Sequence, residues 1–165
     1  SSHAFGTAGT TTIPPNSIIV YSFHTTEVAI TTTEINRWKA DTATIHNHLE
    51  EASLLNEAVE MSNGVSYVIE EQGTGDYPVL FDLVTLDYKM MLLSGTVIEQ
   101  NTLTQFSLFQ LIDALKSGIP QVNVGTKVTF YIPSLYGYGA NANGTIPANS
   151  VLKFEMTLTS ITPHH

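Results

Sequence analysis

Apolar and polar residues alternate along most of the chain from residue 64 onward. A period of two is the pattern of β-strands that bury one face, because successive side chains point to opposite sides of a strand. The clearest case is residues 152–161, where Leu152, Phe154, Met156 and Leu158 alternate with mostly polar residues. Four further segments of this kind are residues 65–71, 82–92, 96–100 and 124–133. The alternation predicts an antiparallel sheet with one solvated face.

The segment that precedes this region has helical spacing instead. Thr31 followed by Glu34 matches a capping box, which marks the start of a helix. Apolar residues then recur at mostly helical steps, and they are Ile35, Trp38, Ile45, Leu49, Ala52 and Leu55 or Val59. The spacing predicts helical structure over residues 34–62, as one helix or two, stopped by the sequence Ser-Asn-Gly. This extension is expected to dock on the following domain or to mediate dimerisation.

A second, shorter helix is predicted for residues 106–118. Its apolar face consists of Leu108, Leu111, Ile112 and Leu115, and Gly118 ends it. Several strands and one short helix across their apolar face predict an α+β fold. The predicted organisation is a flexible segment with one short strand over residues 1–33, a helical extension over 34–62, and the α+β domain over 63–162.

Charged residues make up only 13% of the chain, about half of the usual share of roughly 25%. The net charge is −9 with 6 Lys and Arg, so the basic face that a nucleic-acid or anionic-membrane binder needs is missing. No apolar run approaches the roughly 20 residues of a membrane span. The Thr- and Asn-rich polar composition is typical of envelope proteins. Because the chain begins with Ser, we expect that a signal peptide or lipid anchor has been removed.

The predicted α+β domain lacks the residues on which most catalytic sites depend. The chain has no cysteine, and residues 64–161 contain no histidine and no arginine. A Ser-His or Cys-His nucleophile system, a histidine metal site and arginine recognition of phosphate are therefore excluded within it. His46 and His48 are two residues apart and cannot form a helical metal motif. We predict no metal and no cofactor. An unrelated β-rich carbohydrate-binding domain stays open, although a helix across the sheet would exclude it.

Three stretches carry a resemblance to a known family. Residues 131–139 read YIPSLYGYG, residues 146–158 read IPANSVLKFEMTL, and Gly125 lies in the sequence VGTKV. In one unbroken register over about residues 64–161, the chain resembles the FKBP family of peptidyl-prolyl cis–trans isomerases. More loosely, it is similar to FKBP-like lipoproteins of Bacteroidetes envelopes. The resemblance implies a twisted antiparallel sheet wrapped around one short helix, and isomerisation of X-Pro bonds in the bacterial periplasm or at the outer membrane.

The resemblance also implies a pocket between the short helix and the sheet, roofed by the loop at residues 138–147. The catalytic positions that it implies are Tyr88, Glu99, Tyr138 and Phe154. The substrate-binding positions that it implies are Ile98, Phe106, Leu111, Ile112, Leu115 and Ile146. Tyr138 is expected to donate a hydrogen bond to the substrate carbonyl. The implied partners are proline-containing protein or peptide segments, together with a macrolide-type ligand in the pocket.

Three departures from the family pattern divide the functional hypotheses. Ile98-Glu99 stands where the family usually has Phe-Asp, Leu115 replaces a Trp at the pocket floor, and Ala114 replaces the Gly before it. Each missing aromatic ring removes about 1 kcal/mol of contact. The first hypothesis is an isomerase of weak or altered activity, which the intact Tyr138 and Ile146 favour. The second is a binding or chaperone-like module without catalysis, which the departures favour.

Overall fold

The structure is a computed structural model that describes residues 30–163. Its regular elements in chain order are α1 (Thr32–Glu51), β1 (Val59–Glu60), β2 (Ser66–Glu71), β3 (Leu83–Leu92), β4 (Val97–Ser107), α2 (Asp113–Gly118), β5 (Lys127–Ile132) and β6 (Leu152–Thr162). Single turns of 3₁₀ helix occupy Leu108–Gln110, Ile119–Gln121 and Ser134–Tyr136. The short strand predicted near the N-terminus, and nearly all of the predicted flexible segment, lie outside the described residues. No helix in residues 30–163 is long and apolar enough to cross a membrane.

The strands form one antiparallel sheet in the order β1-β2-β5-β6-β3-β4. Strand β6 lies inside the sheet, with β5 on one side and β3 on the other. Its predicted inward face is buried, since Leu152, Phe154, Met156 and Leu158 are each at most 5% exposed. The α+β class, with a short helix on the sheet and a helix before it, is confirmed.

The sheet buries both of its faces over β2 and β5. Phe130 of β5 points into the main core, which also contains residues of α2. The next residue, Tyr131, points to the opposite face and packs there with Ile45 and Leu49 of α1. Helix α2 therefore crosses one face of the sheet while α1 lies on the other. As a consequence, β5 is almost continuously buried instead of alternating.

Helix α1 begins with the predicted capping box and docks on the sheet through a close approach. The Glu34 N–H donates to Thr31 Oγ1 at 3.2 Å, and the Thr31 N–H donates to the Glu34 carboxylate at 2.8 Å. Further along, the Trp38 Nε1–H donates to the Asn63 carbonyl at 2.7 Å. Beneath the indole, Gly64 has a φ of +81°, and a Cβ there would lie 2.6 Å from Trp38 Nε1. The glycine therefore gives α1 the space to dock.

Helix α1 ends at Glu51, so the prediction of helical structure to residue 62 was wrong. Ser53 takes a left-handed φ of 60°, and the Leu54 N–H donates to the Leu49 carbonyl at 2.8 Å. This is a Schellman turn, in which a residue beyond the helix folds back onto its last turn. Leu54 thereby joins Leu49 in the core beneath α1. The turn has serine at the position where glycine is usual, so the sequence carries no stop signal there.

Helix α2 is shorter than predicted, because it starts at Asp113 and not near residue 107. Strand β4 continues through Ser107, and the backbones of Leu111 and Ile112 are extended, with ψ of 170° and 153°. An apolar run of this length fits a helix and an extended segment equally well. Helix α2 still packs its buried side against the sheet. A helix in this place excludes the unrelated carbohydrate-binding domain that composition left open.

Candidate functional site

Three aromatic side chains form one wall of the site. Tyr88 of β3 stacks on Phe154 of β6, with ring centres 5.4 Å apart and planes 12° apart. Phe106 of β4 meets the Tyr88 ring edge-on at 5.6 Å. Because β3 lies between β6 and β4 in the sheet, side chains at paired positions of the three strands share a face. The result is a continuous aromatic surface, of which Phe106 is the half-buried end.

Helix α2 and the segment before it form the facing side. Leu115 is 3% exposed within the main core, and Leu111 and Ile112 are half-buried at its margin. None of the described groups accepts a hydrogen bond from the Ile112 backbone N–H. Gly118 brings α2 close to the sheet, because a Cβ there would lie 2.6 Å from Phe130 Cε1. This side thus combines apolar side chains with one available backbone donor.

The Gly- and Asn-rich loop folds back over these residues. Tyr138 follows the 3₁₀ turn at Ser134–Tyr136 and is half-buried against the main core. Ile146 is 4% exposed although residues 140–145 are all exposed. A tight turn places it there, since Ile146 and Asn143 exchange backbone hydrogen bonds of 2.9 and 3.0 Å. A buried side chain at a loop tip is unusual, and it makes the loop a roof for the aromatic wall.

Nine of the ten predicted site positions lie in the main core or pack against it, and direct contacts join Tyr88 to Phe106, Phe154 and Glu99. Four of them are buried in the main core, and these are Tyr88, Leu115, Ile146 and Phe154. Five are half-buried and pack against it, and these are Ile98, Phe106, Leu111, Ile112 and Tyr138. The remaining one, Glu99, is exposed and accepts a hydrogen bond from the Tyr88 hydroxyl. The catalytic and binding roles of the individual residues stay predictions.

A small polar network holds the aromatic wall in place. The Tyr88 hydroxyl donates to Glu99 Oε1 at 2.6 Å. The Asn101 side-chain amide donates to the Tyr88 hydroxyl at 3.0 Å and to Glu99 Oε1 at 2.9 Å. Burial raises the pKa of Tyr88, and its hydrogen bond to Glu99 raises the pKa further. The ring therefore stays neutral, with its orientation fixed at the hydroxyl end.

Asn101 is a site residue that sequence reasoning missed. It pairs directly with Tyr88 across the β3–β4 ladder. The available signal was its position two residues after Glu99, one residue beyond the predicted strand 96–100. Extending that strand by one residue would have put both side chains on one side of it.

The Tyr138 hydroxyl is the second available donor. Burial raises the pKa of Tyr138, and the negative charge of Glu99 raises the pKa further. Within residues 30–163, no group accepts a hydrogen bond from this hydroxyl. A protonated phenol beside an aromatic wall can donate to a carbonyl oxygen of a bound peptide.

Other polar residues near the site have structural partners. The Asp87 carboxylate accepts from the Leu103 N–H at 2.7 Å, and Asp113 pairs with Lys116 at 3.0 Å. These carboxylates are therefore occupied locally and do not form a catalytic pair. No three His, Asp or Glu side chains in the described part of the chain are grouped to hold a metal ion. The aromatic wall, the facing side formed by α2, and the loop at residues 138–147 together form an apolar cradle. Its two available hydrogen-bond donors are the Ile112 backbone N–H and the Tyr138 hydroxyl.

Sequence comparisons agree with this geometry. A model of the FKBP-type peptidyl-prolyl cis-trans isomerase family matches residues 75–159. The chain is 32% identical over 138 residues to the FKBP-type peptidyl-prolyl cis-trans isomerase FkpA of Aeromonas hydrophila, which covers 78% of this chain and 52% of the relative. It is 29% identical over 106 residues to the peptidyl-prolyl cis-trans isomerase Mip of Coxiella burnetii, which covers 61% of this chain and 46% of the relative. The chain thus spans about half the length of these curated relatives.

Solved structures have a similar fold. The crystal structure of FkpA from Escherichia coli has a TM-score of 0.68 at 25% identity, over 78% of this chain and 62% of that one. A peptidyl-prolyl cis-trans isomerase structure from Pseudomonas syringae pv. tomato has a TM-score of 0.67 at 24% identity, over 76% of this chain and 96% of that one. The second likeness concerns the fold alone.

Proposed function

Because the chain belongs to the FKBP-type peptidyl-prolyl cis-trans isomerase family, we propose that it accelerates cis–trans isomerisation of X-Pro bonds in protein segments. One observation carries the proposal: the rings of Tyr88, Phe106 and Phe154 form one aromatic surface, and Tyr138 and Ile146 of the Gly- and Asn-rich loop pack against the same core. The stretch from residue 64 to residue 161 contains no His, Cys or Arg. The chemistry is therefore one that needs none of them.

Rotation about a peptide bond needs no nucleophile, proton transfer or metal. The barrier is roughly 18–20 kcal/mol because resonance keeps the amide planar, and the uncatalysed X-Pro reaction takes tens of seconds. A twisted amide has lost that resonance, so its carbonyl is less polar than the planar carbonyl. Apolar surroundings then disfavour the twisted state less than the planar one, which is differential binding of the transition state. The wall of Tyr88, Phe106 and Phe154 supplies these surroundings.

The two donors orient the substrate within this cradle. Tyr138 donates from its hydroxyl to the substrate carbonyl, and Ile112 donates from its backbone N–H to a neighbouring carbonyl. No proton is transferred, so both donors act by position. Glu99 and Asn101 hold the Tyr88 ring against which the proline packs.

The floor of the cradle sets the substrate preference. Leu115 presents a smaller surface than the tryptophan usual in the family, so a proline ring gains less contact area there. We expect a lower rate than in relatives with tryptophan at the floor. A macrolide-type ligand would use the same wall and donors and would bind more weakly for the same reason.

We assign the activity to the bacterial envelope, in the periplasm or at the outer membrane, where a low share of charged residues is common.

Exchange NMR on Leu-Pro and Phe-Pro peptides tests the proposal. Catalytic amounts of the protein should accelerate cis–trans exchange, and Tyr138→Phe should lower kcat/KM about tenfold by removing one donor. Tyr77→Phe is the matched control, because this tyrosine is 57% exposed outside the site. No acceleration by a protein whose circular dichroism spectrum shows it folded would overturn the isomerase assignment.

An exposed apolar surface favours a second candidate, a binding or chaperone-like module. Phe81 and Phe109 are 60% and 54% exposed, and their rings stack at 5.7 Å. Val79, two residues before Phe81 along the chain, is 63% exposed. The turn that holds Phe109 leads directly into Leu111 of the cradle. A surface of this kind fits an apolar segment of an unfolded polypeptide whose proline lies in the cradle.

Aggregation of a heat-denatured model protein, followed by light scattering, distinguishes the two candidates. If the second holds, the protein suppresses scattering, and the double variant Phe81→Ser, Phe109→Ser loses that suppression while peptide isomerisation is unchanged. Equal scattering with and without the wild-type protein rules the second candidate out.

A further inference from the structure

A buried carboxylate joins helix α1 to the loop that carries Tyr138. Asp41 is 3% exposed in the middle of α1, and its Oδ2 accepts two hydrogen bonds from Ser134. The Ser134 N–H lies at 2.9 Å and the Ser134 hydroxyl at 2.5 Å. On the outer side, Arg37 Nη1 lies 3.8 Å from Asp41 Oδ1. Helix α1 lies wholly outside the family match at residues 75–159, so this contact joins a residue outside the matched segment to one inside it.

Ser134 links Asp41 to the residues on both sides of Tyr138 through hydrogen bonds of its carbonyl group. Its carbonyl accepts from the Gly137 N–H at 3.0 Å and from the Gly139 N–H at 2.8 Å. The Gly139 carbonyl then accepts from the Asn149 N–H at 2.9 Å, which closes the neck of the loop. One buried residue, Ser134, therefore faces Asp41 with its amide and hydroxyl, and its carbonyl accepts from the amides of the two glycines that flank Tyr138.

We propose that Asp41 is a positioning residue for the isomerisation, acting through Ser134 on the Tyr138 hydroxyl; the inference rests on the function proposed above. Hydrogen bonds to an ionised acceptor are short and strong, and Ser134 at 1% exposure has little access to water as a substitute. Without the carboxylate, Ser134 is free to shift and Tyr138 shifts with it. A donor that acts by position alone loses its effect with small displacements.

A double-mutant cycle between Asp41 and Tyr138 tests this inference. Asp41→Ala is expected to lower kcat/KM for a Leu-Pro peptide about tenfold, although it contacts no substrate. In the Tyr138→Phe background the same change should cost less than about twofold, because the donor to be positioned is already gone. If the two effects multiply instead, Asp41 does not act through Tyr138 and the inference is wrong.

The matched control is Trp38→Phe, which removes the hydrogen bond from α1 to the Asn63 carbonyl. Asn63 lies before β2 in the chain and outside the loop at residues 138–147. We expect kcat/KM to stay within about twofold of the wild type, and the effect to multiply with that of Tyr138→Phe. A loss in Trp38→Phe as large as in Asp41→Ala would mean that general loosening of α1 explains both, which contradicts the proposal.

Amide hydrogen exchange provides a readout that does not depend on activity. Asp41→Asn keeps one acceptor for Ser134 and serves if the alanine variant does not fold. The Gly137 and Gly139 amides should exchange faster in this variant while the Phe130 amide in the sheet is unchanged. Unchanged exchange at both glycines overturns the inference. If the wild-type protein fails to isomerise peptides, the proposed function falls, and exchange alone decides whether α1 holds the loop.

Discussion

At the scale of single residues, Tyr88 serves the core and the site at once. Its ring packs between Phe154 and Phe106, while its hydroxyl reaches the margin and joins Glu99 and Asn101. A phenylalanine would fill the same space without the network. The hydroxyl therefore costs the core nothing in packing, and it fixes the orientation of the ring through a charged acceptor.

Tyr88→Phe tests how much that hydroxyl stabilises the fold. The free energy of unfolding should fall by about 1–3 kcal/mol, because a hydrogen bond to a charged group is lost while the ring stays. Urea unfolding measures the change, and Tyr77→Phe, at an exposed position, should remain within about 0.5 kcal/mol of the wild type. Equal stability of the two variants would mean that water satisfies Glu99 as well as Tyr88 does.

The contribution of the Tyr88–Glu99–Asn101 network to stability depends on pH, and the pKa of Tyr88 determines the direction of that dependence. Because the folded-state pKa of Tyr88 is raised above its usual value of 10.0, the folded state binds that proton more tightly than the unfolded state does. The stabilisation is present below about pH 10 and is lost as the pH rises through the raised pKa. Unfolding measured at rising alkaline pH should show a steeper loss for the wild type than for Tyr88→Phe.

At the scale of elements, helix ends were less predictable than strands. Alternation survives in β6 because one face of that strand meets the core and the other does not. Helix α1 ends at Glu51, just before a left-handed turn at Ser53, where glycine is usual. Helix α2 starts only after an extended Leu111 and Ile112. In both cases the packing of leucine side chains in the tertiary structure determines where the helix ends or begins. A local sequence pattern does not contain that information.

Gly118→Ala tests the close packing of α2 on the sheet. The new methyl group would lie 2.6 Å from the buried Phe130 ring, so overpacking should destabilise the fold by about 1–3 kcal/mol. Thermal unfolding measures the loss. Phe130→Leu in the same chain should relieve part of it, so that the double variant is more stable than the sum of the single effects. Simple additivity would show that the cost of the methyl group does not come from its contact with Phe130.

The pairing of β2 with β5 includes an ion pair that depends on pH. Burial alone would raise the pKa of Glu70, but hydrogen bonds from Lys127 at 2.8 Å and Thr129 at 2.7 Å outweigh it and lower the pKa. The stabilisation is therefore present above the usual pKa near 4.5 and is lost as the pH falls through the lowered value. Glu70→Gln should lower the urea midpoint at pH 7 but not at about pH 3, whereas Glu57→Gln in an exposed turn should change neither.

At the scale of the whole molecule, the sequence predicted the sheet and the crossing helix, whereas the site residues stay a prediction. It did so because the alternation of apolar and polar residues, and the motifs that resemble the FKBP family, both extend over residues 64–161. It did not predict the contact of Asp41 with Ser134, whose partners are 93 residues apart. A buried aspartate in a helix looks like a solvated one until the partner is known. Asn101 was missed although its spacing from Glu99 was informative.

Activity should be independent of pH over the physiological range. The region from residue 64 to residue 161 has no histidine, and the raised pKa of Tyr138 keeps its hydroxyl protonated beyond its usual value of 10.0. We expect kcat/KM for a Leu-Pro peptide to be constant between about pH 6 and 9 and to fall only at more alkaline pH. A bell-shaped profile within that range would point to acid–base chemistry and contradict the mechanism.

The strand order has a consequence for where the folding unit of this chain begins. Strand β2 precedes the family match at residue 75, yet it lies inside the sheet between β1 and β5. A polypeptide trimmed to the matched residues would expose β5 as a bare edge, with Tyr131 uncovered on one side. Unpaired edges of this kind recruit other chains. We therefore expect a chain trimmed to the matched residues to aggregate, and a chain that also keeps β2 and α1 to stay folded and monodisperse.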